Sequence, residues 1–357
     1  MENKMEQTRE DRTADTLVST QTKMEKRSED RMTEEGTPKK AKQEQEGMTN
    51  KAEVDRKDSE SDTAATEEKS NDDKKRSVET TAKQWKVVAS SEAQSSGMKR
   101  TQEDRSRILT DANIAGVFDG HGGSGISEFL QIFLLPEIEK RLQDDHGAGI
   151  EEVMKAAIAE IDKQALQIER FTFEGSTAVV VKLHEGKWVT ANVGDCRAVL
   201  SREGKAVDLS NDHKPNAPTE RERIEKAGGK VVAEGKMDKN GDPVPGYGIY
   251  RVNGGIGVAR TLGYEFDRPA LSPEPEIMSI DVDEGDEFVL LASDGVWDVM
   301  TSQEAVDVVH KAMEENTAKK EIAQLVVNQA LAQKAFDNLT VAIMWIGHAE
   351  AAGSASA

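Results

Sequence analysis

The amino-acid sequence predicts an α+β domain, antiparallel sheets covered by helices, carried behind a long charged tail. Three observations predict it. Short apolar runs are joined by Glu-Gly dipeptides, which reads as strands linked in hairpins. Helical stretches fall between blocks of such strands and not between every pair, which disfavours a doubly wound parallel sheet. Finally, apolar residues are scarce in residues 1–82, where Leu17, Val18, Val54 and Val78 are the only ones among Leu, Ile, Val, Phe, Trp and Tyr.

That scarcity sets the domain boundary. The first 82 residues hold 17 basic and 22 acidic side chains, and every aromatic residue lies at Trp85 or later. Such a segment buries too little surface to offset its chain entropy, so a disordered N-terminal tail over 1–82 is expected. Residues 83–348 form the predicted folded domain, and the small, polar 349–357 a flexible C-terminal tail. Two basic clusters in the first tail, Lys39-Lys40-Ala41-Lys42 and Lys74-Lys75-Arg76, read as solvated charge, with nuclear import left open.

Within the domain, Lys83–Ala89 and Ala112–Asp119 read as strands, the second ending in a Gly-rich turn. Gly125–Leu142 is helical, with Pro136 expected to kink or split it. Glu151–Arg170 is a clearer helix, striped by Met154, Ala157, Ile158, Ile161, Ala165 and Ile168. Four strands follow at Thr177–Leu183, Lys187–Val193, Arg197–Ser201 and Lys205–Leu209, expected as one antiparallel meander. Pro218–Ala227 is a short helix, and Gly228–Tyr250, rich in Gly and Pro, an excursion dominated by loops. Glu287–Ser293 reads as a buried strand. Thr301-Ser302-Gln303-Glu304 is a capping box opening a helix to about Glu314. A helix over Ala318–Leu331, with Ile322, Leu325 and Val326 on one face, and a strand over Leu339–Ile346 complete the domain.

Composition excludes several classes. The net charge is −20 for the chain and −15 for the part after the tail, which repels nucleic acid and an anionic membrane face, so neither is an expected partner. No run of about 18 apolar residues occurs, and the first residues carry no apolar core of a secretory leader. Cys196 is the single cysteine, so neither an internal disulfide nor a thiolate zinc site is available. An intracellular location is expected, cytoplasmic with nuclear entry open.

The chemistry gathers at strand ends. Val117-Phe118-Asp119-Gly120-His121-Gly122-Gly123 delivers Asp119 and His121 onto a glycine turn. Ser293-Asp294-Gly295, followed by Asp298, repeats the design, as do Val193-Gly194-Asp195 and Asp337-Asn338. One Asp-Gly is an ordinary turn. Four aspartates each beside a buried strand suggest convergence, and neighbouring carboxylates stay ionised only around a cation. Oxygen ligands without thiolate select Mg²⁺ or Mn²⁺. Two such ions sharing an Asp can activate a bridging water and clamp a phosphoryl group, with His121 protonating the leaving oxygen. A structural role for His121 is the alternative.

Ten motifs in order resemble the metal-dependent serine/threonine protein phosphatases of type 2C: GMKRTQED (97–104), VFDGHGG (117–123), GSTA (175–178), VGDCR (193–197), DHKP (212–215), ERIEKAGG (222–229), RVNGGIGVARTLG (251–263), SPEPE (272–276), SDGVWDV (293–299) and DNLT (337–340). The resemblance implies an αββα sandwich, two antiparallel sheets flanked by helices, with a flap over about 215–250. It implies hydrolysis of phosphoserine and phosphothreonine in phosphoprotein substrates by a monomer carrying two Mg²⁺ or Mn²⁺ ions per active site. The bridging ligand falls on Asp119, a carbonyl ligand on Gly120, and further carboxylates on Asp294 and Asp337. A third, weaker metal position falls on Asp195 and Asp294 with Asp298. Glu103 and Asp104 match the acidic pair that holds metal-bound waters, and His121 the general acid.

Three departures stand out. Lys99 occupies the place of the family's phosphate-binding Arg. It binds phosphate as a point charge without a bidentate fork, so active but weaker substrate binding is expected. Tyr264 replaces an Asp, with compensation by Asp267 left open, and Lys334-Ala335-Phe336 replaces small residues. A catalytically silent scaffold on the same fold is the competing reading.

Overall fold

The computed structural model of the protein describes residues 85–145 and 147–348, without the side chains of residues 245–247. The expected tails over 1–82 and 349–357, with both basic clusters, lie outside the described residues. Fourteen strands are described: β1 Trp85–Ser95, β2 Arg105–Leu109, β3 Ile114–Phe118, β4 Gly120–His121, β5 Gly175–Ser176, β6 Ala178–His184, β7 Lys187–Val193, β8 Arg197–Arg202, β9 Lys205–Asp208, β10 Val231–Met237, β11 Pro243–Val252, β12 Glu276–Asp281, β13 Asp286–Ala292 and β14 Leu339–His348. The helices are α1 Gly125–Asp144, α2 Ile150–Ala165, α3 Pro218–Lys226, α4 Asp294–Trp297, α5 Ser302–Glu314 and α6 Lys319–Ala332.

Two five-stranded antiparallel sheets, ordered β1-β14-β13-β8-β9 and β12-β7-β6-β3-β2, stack face to face. Helices α1 and α2 cover the second sheet, and α5 and α6 the first. The expected αββα sandwich is the observed fold.

The alternation along β13 and β14 shows why these strands read as unbroken apolar runs. Phe288, Leu290, Ile343 and Trp345 face α5 and α6, while Val289, Leu291, Ala342 and Met344 face the other sheet. Phe288 pairs with Trp345 and Leu290 with Ile343 across the ladder. Both faces are dry, so both residue sets must be apolar.

Several expectations need correcting. The strands over 178–208 do not form one meander. β7 pairs with β6 and β12, whereas β8 pairs with β9 and β13 in the opposite sheet. The short link between them carries Gly194 at φ 110°, where the chain crosses from sheet to sheet. Hairpin signals fix neighbours and not sheet membership. The excursion over 228–250 holds a paired hairpin, β10 with β11, in spite of its Gly and Pro content. Strands β2 and β12 escaped the sequence reading, being half-buried edge strands with few apolar residues. Among the described residues the first strand runs from Trp85 past Ala89 on to Ser95.

Pro136 does not break its helix. Its missing N–H would have bonded the carbonyl of Ile132, and the Arg107 guanidinium donates to that carbonyl instead at 2.7 Å, and to Gln131 O at 2.9 Å. A side chain from β2 therefore supplies the donor the proline lacks. Helix α2 ends at Ala165, short of Arg170, yet its striped residues are all buried, Ile168 included. On α6 the buried stripe is Ile322, Ala323, Val326, Val327 and Ala330. Leu325 lies roughly 130° from the centre of that stripe at 100° per residue, and is exposed. The capping box is present, with Thr301 Oγ1 accepting from Glu304 N at 3.2 Å and Thr301 N donating to Glu304 Oε2 at 2.8 Å.

Candidate active site

Antiparallel pairing decides where the functional side chains emerge. β6 lies between β3 and β7 and runs against both, so β3 and β7 end at the same edge of their sheet. Those ends carry Asp119 and Asp195. In the other sheet the end of β13 meets the start of β14, Ala292 opposite Val341, which brings Asp294 beside Asp337. The two edges face one another around a cleft of about 350 Å³ lined by Lys99, Glu103, Asp119, His121, Asp195, Asp294 and Asp337, with Ile249, Ile256 and Val258 from the flap side.

Asp119, Asp195 and Asp294 each bring one carboxylate oxygen within 4.8 Å of the other two. Asp337 lines the same cleft, and its Oδ1 accepts from Lys99 Nζ at 2.6 Å and from Asn338 N at 2.8 Å. Asp104 is buried behind Asp119, where its Oδ2 accepts from Ser293 Oγ at 2.7 Å. Glu103 and Gly120 line the cleft, and Asp298 sits exposed at its margin.

One side chain ties the segment carrying Lys99 and Glu103 down at three backbone points. Asn338 accepts from Glu103 N at 2.8 Å and donates to Thr101 O at 2.8 Å and Ser96 O at 3.1 Å. At the turn into this segment Gly97 has φ 57°, and a Cβ there would lie 2.1 Å from Asp337 O. Only glycine lets the two backbones approach so closely.

Crowding of carboxylates in a dry site is visible in their acidity. Burial first, then the charges of Asp104, Asp294, Asp195 and Asp337, push Asp119 well above the usual carboxylate range. Asp294 rises to about 8, through burial and the charge of Asp195, with Lys214 opposing. Burial lifts Asp104 to about 6. These groups favour protonation until a cation compensates them.

Two further buried oxygens, Asp104 Oδ1 and Asp195 Oδ1, have no hydrogen-bond partner. An oxygen-only donor set with raised acidities and orphaned buried oxygens fits a hard divalent cation, Mg²⁺ or Mn²⁺.

His121 is enclosed, with Nε2 hydrogen-bonded to Thr261 Oγ1 at 2.8 Å and the Tyr264 ring edge-on at 5.6 Å. Burial lowers its pKa to about 4, so the resting ring is neutral. Tyr264 thus occupies a packing position beside His121. Asp267, with φ 62°, accepts from Asn253 Nδ2 at 2.8 Å and stands outside the cleft lining.

Two contributors went unassigned in the sequence. Asn338 was visible only as part of Asp337-Asn338. Lys214, inside the DHKP motif, donates to Asp195 Oδ2 at 2.6 Å and lies 3.5 Å from Asp294 Oδ2 and 3.9 Å from Asp298 Oδ1. Burial works to lower its pKa, but the carboxylates of Asp195, Asp294 and Asp298 outweigh it and raise the value.

The sequence of residues 89–339 matches the family model described as Protein phosphatase 2C. Among similar curated proteins, probable protein phosphatase 2C 55 of Oryza sativa subsp. japonica is 35% identical over 266 residues, covering 72% of this chain and 66% of that protein. Probable protein phosphatase 2C 27 of Arabidopsis thaliana is 35% identical over 236 residues, covering 64% of this chain and 57% of that protein. The chain therefore spans less than two thirds of the length of these relatives. Among solved structures, serine-threonine phosphatase 2C from Toxoplasma gondii aligns with a TM-score of 0.61 at 22% identity, over 73% of this chain and 97% of that one. A sex-determining protein of C. elegans aligns with a TM-score of 0.65 at 24% identity, over 73% and 65%. Two sheets, their flanking helices and a carboxylate-lined cleft at a shared edge agree with the family match across 89–339: the chain belongs to the protein phosphatase 2C family.

Proposed function

We propose that the protein is a metal-dependent phosphatase that hydrolyses phosphoserine and phosphothreonine in phosphoproteins. The observation that carries this reading is the meeting of Asp119, Asp195 and Asp294 within 4.8 Å beside two unpartnered buried carboxylate oxygens. Asp119, Gly120, Asp294 and Asp337 would hold the two ions, Asp195 and Asp298 a weaker third, and Glu103 and Asp104 the solvent around them. When bound, Mg²⁺ or Mn²⁺ supplies Lewis acidity toward the phosphoryl oxygens and a water made nucleophilic at neutral pH.

The chain's own residues do the rest. Lys99 holds the substrate phosphate as a point charge once released from Asp337, without the two-pronged geometry of an arginine. Thr261 fixes the His121 ring through Nε2. The apolar residues Ile249, Ile256 and Val258 keep one wall of the cleft poor in water. His121 would deliver the proton to the departing seryl or threonyl oxygen. Its low resting pKa opposes this, and the negative charge of a phosphate dianion beside the ring works in the opposite direction.

With Mn²⁺ or Mg²⁺ added, the full chain is expected to hydrolyse a phosphothreonine peptide and p-nitrophenyl phosphate. Metal binding without turnover on either substrate would leave the silent-scaffold reading standing. His121→Gln tests the proton donor by leaving group. A loss of about 10²-fold on the phosphopeptide is expected, against little loss with p-nitrophenolate, which needs no proton to depart. Equal losses on both substrates would assign His121 a positioning role. We further propose that the protein works inside the cell as a monomer, with cytoplasm and nucleus both open to it. The single cysteine, buried and free, is compatible with a reducing compartment.

A further inference from the structure

From His121 a file of aromatic rings runs out of the cleft to the surface. The Tyr264 ring meets the His121 ring edge-on at 5.6 Å, and Phe266 lies 5.4 Å from Tyr264. Phe173 stacks on Phe266 at 5.1 Å, with 7° between the two planes. Exposure rises along the file: Tyr264 is half-buried, Phe266 is 41% exposed and Phe173 71%. We propose that this file recognises the substrate peptide, taking a large apolar side chain a few residues from the phosphorylated serine or threonine. The inference rests on the reading of the cleft as a phosphoprotein phosphatase site with His121 beside the leaving oxygen.

The first support is that the two outer rings do no packing work inside the domain. Single apolar side chains scattered over a surface are ordinary, but contiguous exposed rings that continue a cleft mark a contact surface. Phe173 and Phe266 cover one another and leave their outer faces to solvent. Such a pair presents a broad apolar platform of the kind that binds another aromatic or aliphatic side chain.

The second support is how firmly the rings are placed. Buried Asp162 of α2 accepts from Gly263 N at 2.8 Å and from both terminal nitrogens of Arg268 at 2.7 Å. Arg268 Nε donates to Tyr264 O at 2.8 Å, so the segment bearing Tyr264 and Phe266 is clamped to that helix. Phe173 comes from a different part of the chain and is held to the turn of His121. Gly175 pairs with His121 between β5 and β4, and Glu174 accepts from Gly125 N at 2.6 Å. A Cβ on Gly122 would stand 2.3 Å from Phe173 O, so the two backbones are in close contact. A platform held this way loses little conformational freedom when a peptide settles on it.

The third support is the direction in which the peptide must lie. Hydrolysis leaves the seryl or threonyl oxygen on the peptide, and that oxygen departs toward its proton donor. The peptide chain attached to it therefore passes His121 as it leaves the cleft, and the next surface it meets is the aromatic file. Phe266 stands two rings out from His121, about three residues of extended chain away at about 3.3 Å each.

The test compares phosphothreonine peptides of equal length and charge, with Mn²⁺ and the full chain. One set carries Phe about two to four positions from the phosphothreonine, on either side, and the reference carries Ala there. For wild type the best Phe peptide is expected to exceed the Ala peptide by at least about tenfold in kcat/KM. In the double variant Phe173→Ala, Phe266→Ala that ratio is expected to fall below about threefold. A wild-type ratio near unity at every position would overturn the proposal and leave the phosphatase reading intact, as would a preference that survives in the double variant. Hydrolysis of neither peptide by wild type would overturn the phosphatase reading and the proposal with it. If the double variant does not fold, a wild-type cross-link decides. A phosphopeptide with photoreactive benzoylphenylalanine at the preferred position is expected to label residues 172–174 or 264–267, and labelling elsewhere overturns the proposal. A dimer in sedimentation that Phe173→Ala dissociates would give the file to a second copy of the chain and overturn it too.

Discussion

Asp119→Asn is expected to lower kcat on a phosphopeptide by at least about 10³-fold, because it weakens the one ligand proposed to serve both ions. The substitution keeps the side chain's shape and removes its charge. Asp119 N bonds Thr177 Oγ1 at 3.3 Å and Asp119 O accepts from Thr177 N at 2.9 Å, and neither contact uses the carboxylate. The fold should therefore survive. The metal-free variant should in fact melt above metal-free wild type at pH 8, since a neutral amide ends the repulsion among Asp104, Asp119 and Asp294. Activity and stability then move in opposite directions. Turnover above about a tenth of wild type would remove Asp119 from the catalytic role, and a lower metal-free melting temperature would contradict the electrostatic account.

The second large effect is on stability as a function of pH. An Asp in the unfolded chain titrates near 3.8, and in the folded chain Asp294 titrates near 8, with Asp119 also raised. Between these values the folded state binds protons that the unfolded state has released, so stability present at low pH is lost as pH rises. Asp104, raised to about 6, contributes over the lower part of the window. His121 acts oppositely there: its folded value near 4 lies below the unfolded 6.5, so it adds stability as pH rises to 6.5. The clean interval is therefore pH 6.5 to 8. Asp294 alone should cost the metal-free protein about 2 kcal/mol across it, at about 1.4 kcal/mol per pH unit. Melting temperatures in the presence of a chelator should fall by several degrees over this interval. Saturating Mn²⁺ should flatten the dependence or reverse it, because the ion binds the deprotonated cluster. A chelated protein equally stable at pH 6.5 and pH 8 would contradict the raised acidities.

The reading of the sequence succeeded where a local pattern determines the outcome. Lys187–Val193 is a strand with those bounds, and the Thr301 capping box starts its helix. Asp119, Asp195, Asp294 and Asp337 could be picked out because each follows or precedes an apolar run short enough to be a strand. Contacts between distant residues were hidden. Lys214 and Asp195 are 19 residues apart, with two strands between them, and no periodicity shows that one ammonium answers three carboxylates. Pro136 was expected to disrupt its helix because the donor that satisfies Ile132 comes from Arg107, 25 positions away. The change of sheet at Gly194 was equally invisible, since pairing partners are chosen by tertiary packing.

Asp119 and Asp195 hang from one sheet, Asp294 and Asp337 from the other, and the apolar layer of Val117, Val181, Leu200 and Leu291 fills the space between. On the proposed metal reading, cations held among these carboxylates would fasten the sandwich as well as serve the reaction. Mass action then ties their retention to the closure of the two sheets. Loosening the layer between them, far from any phosphate, would register as a weaker grip on the ions, and loading the ions would tighten a core that they never touch.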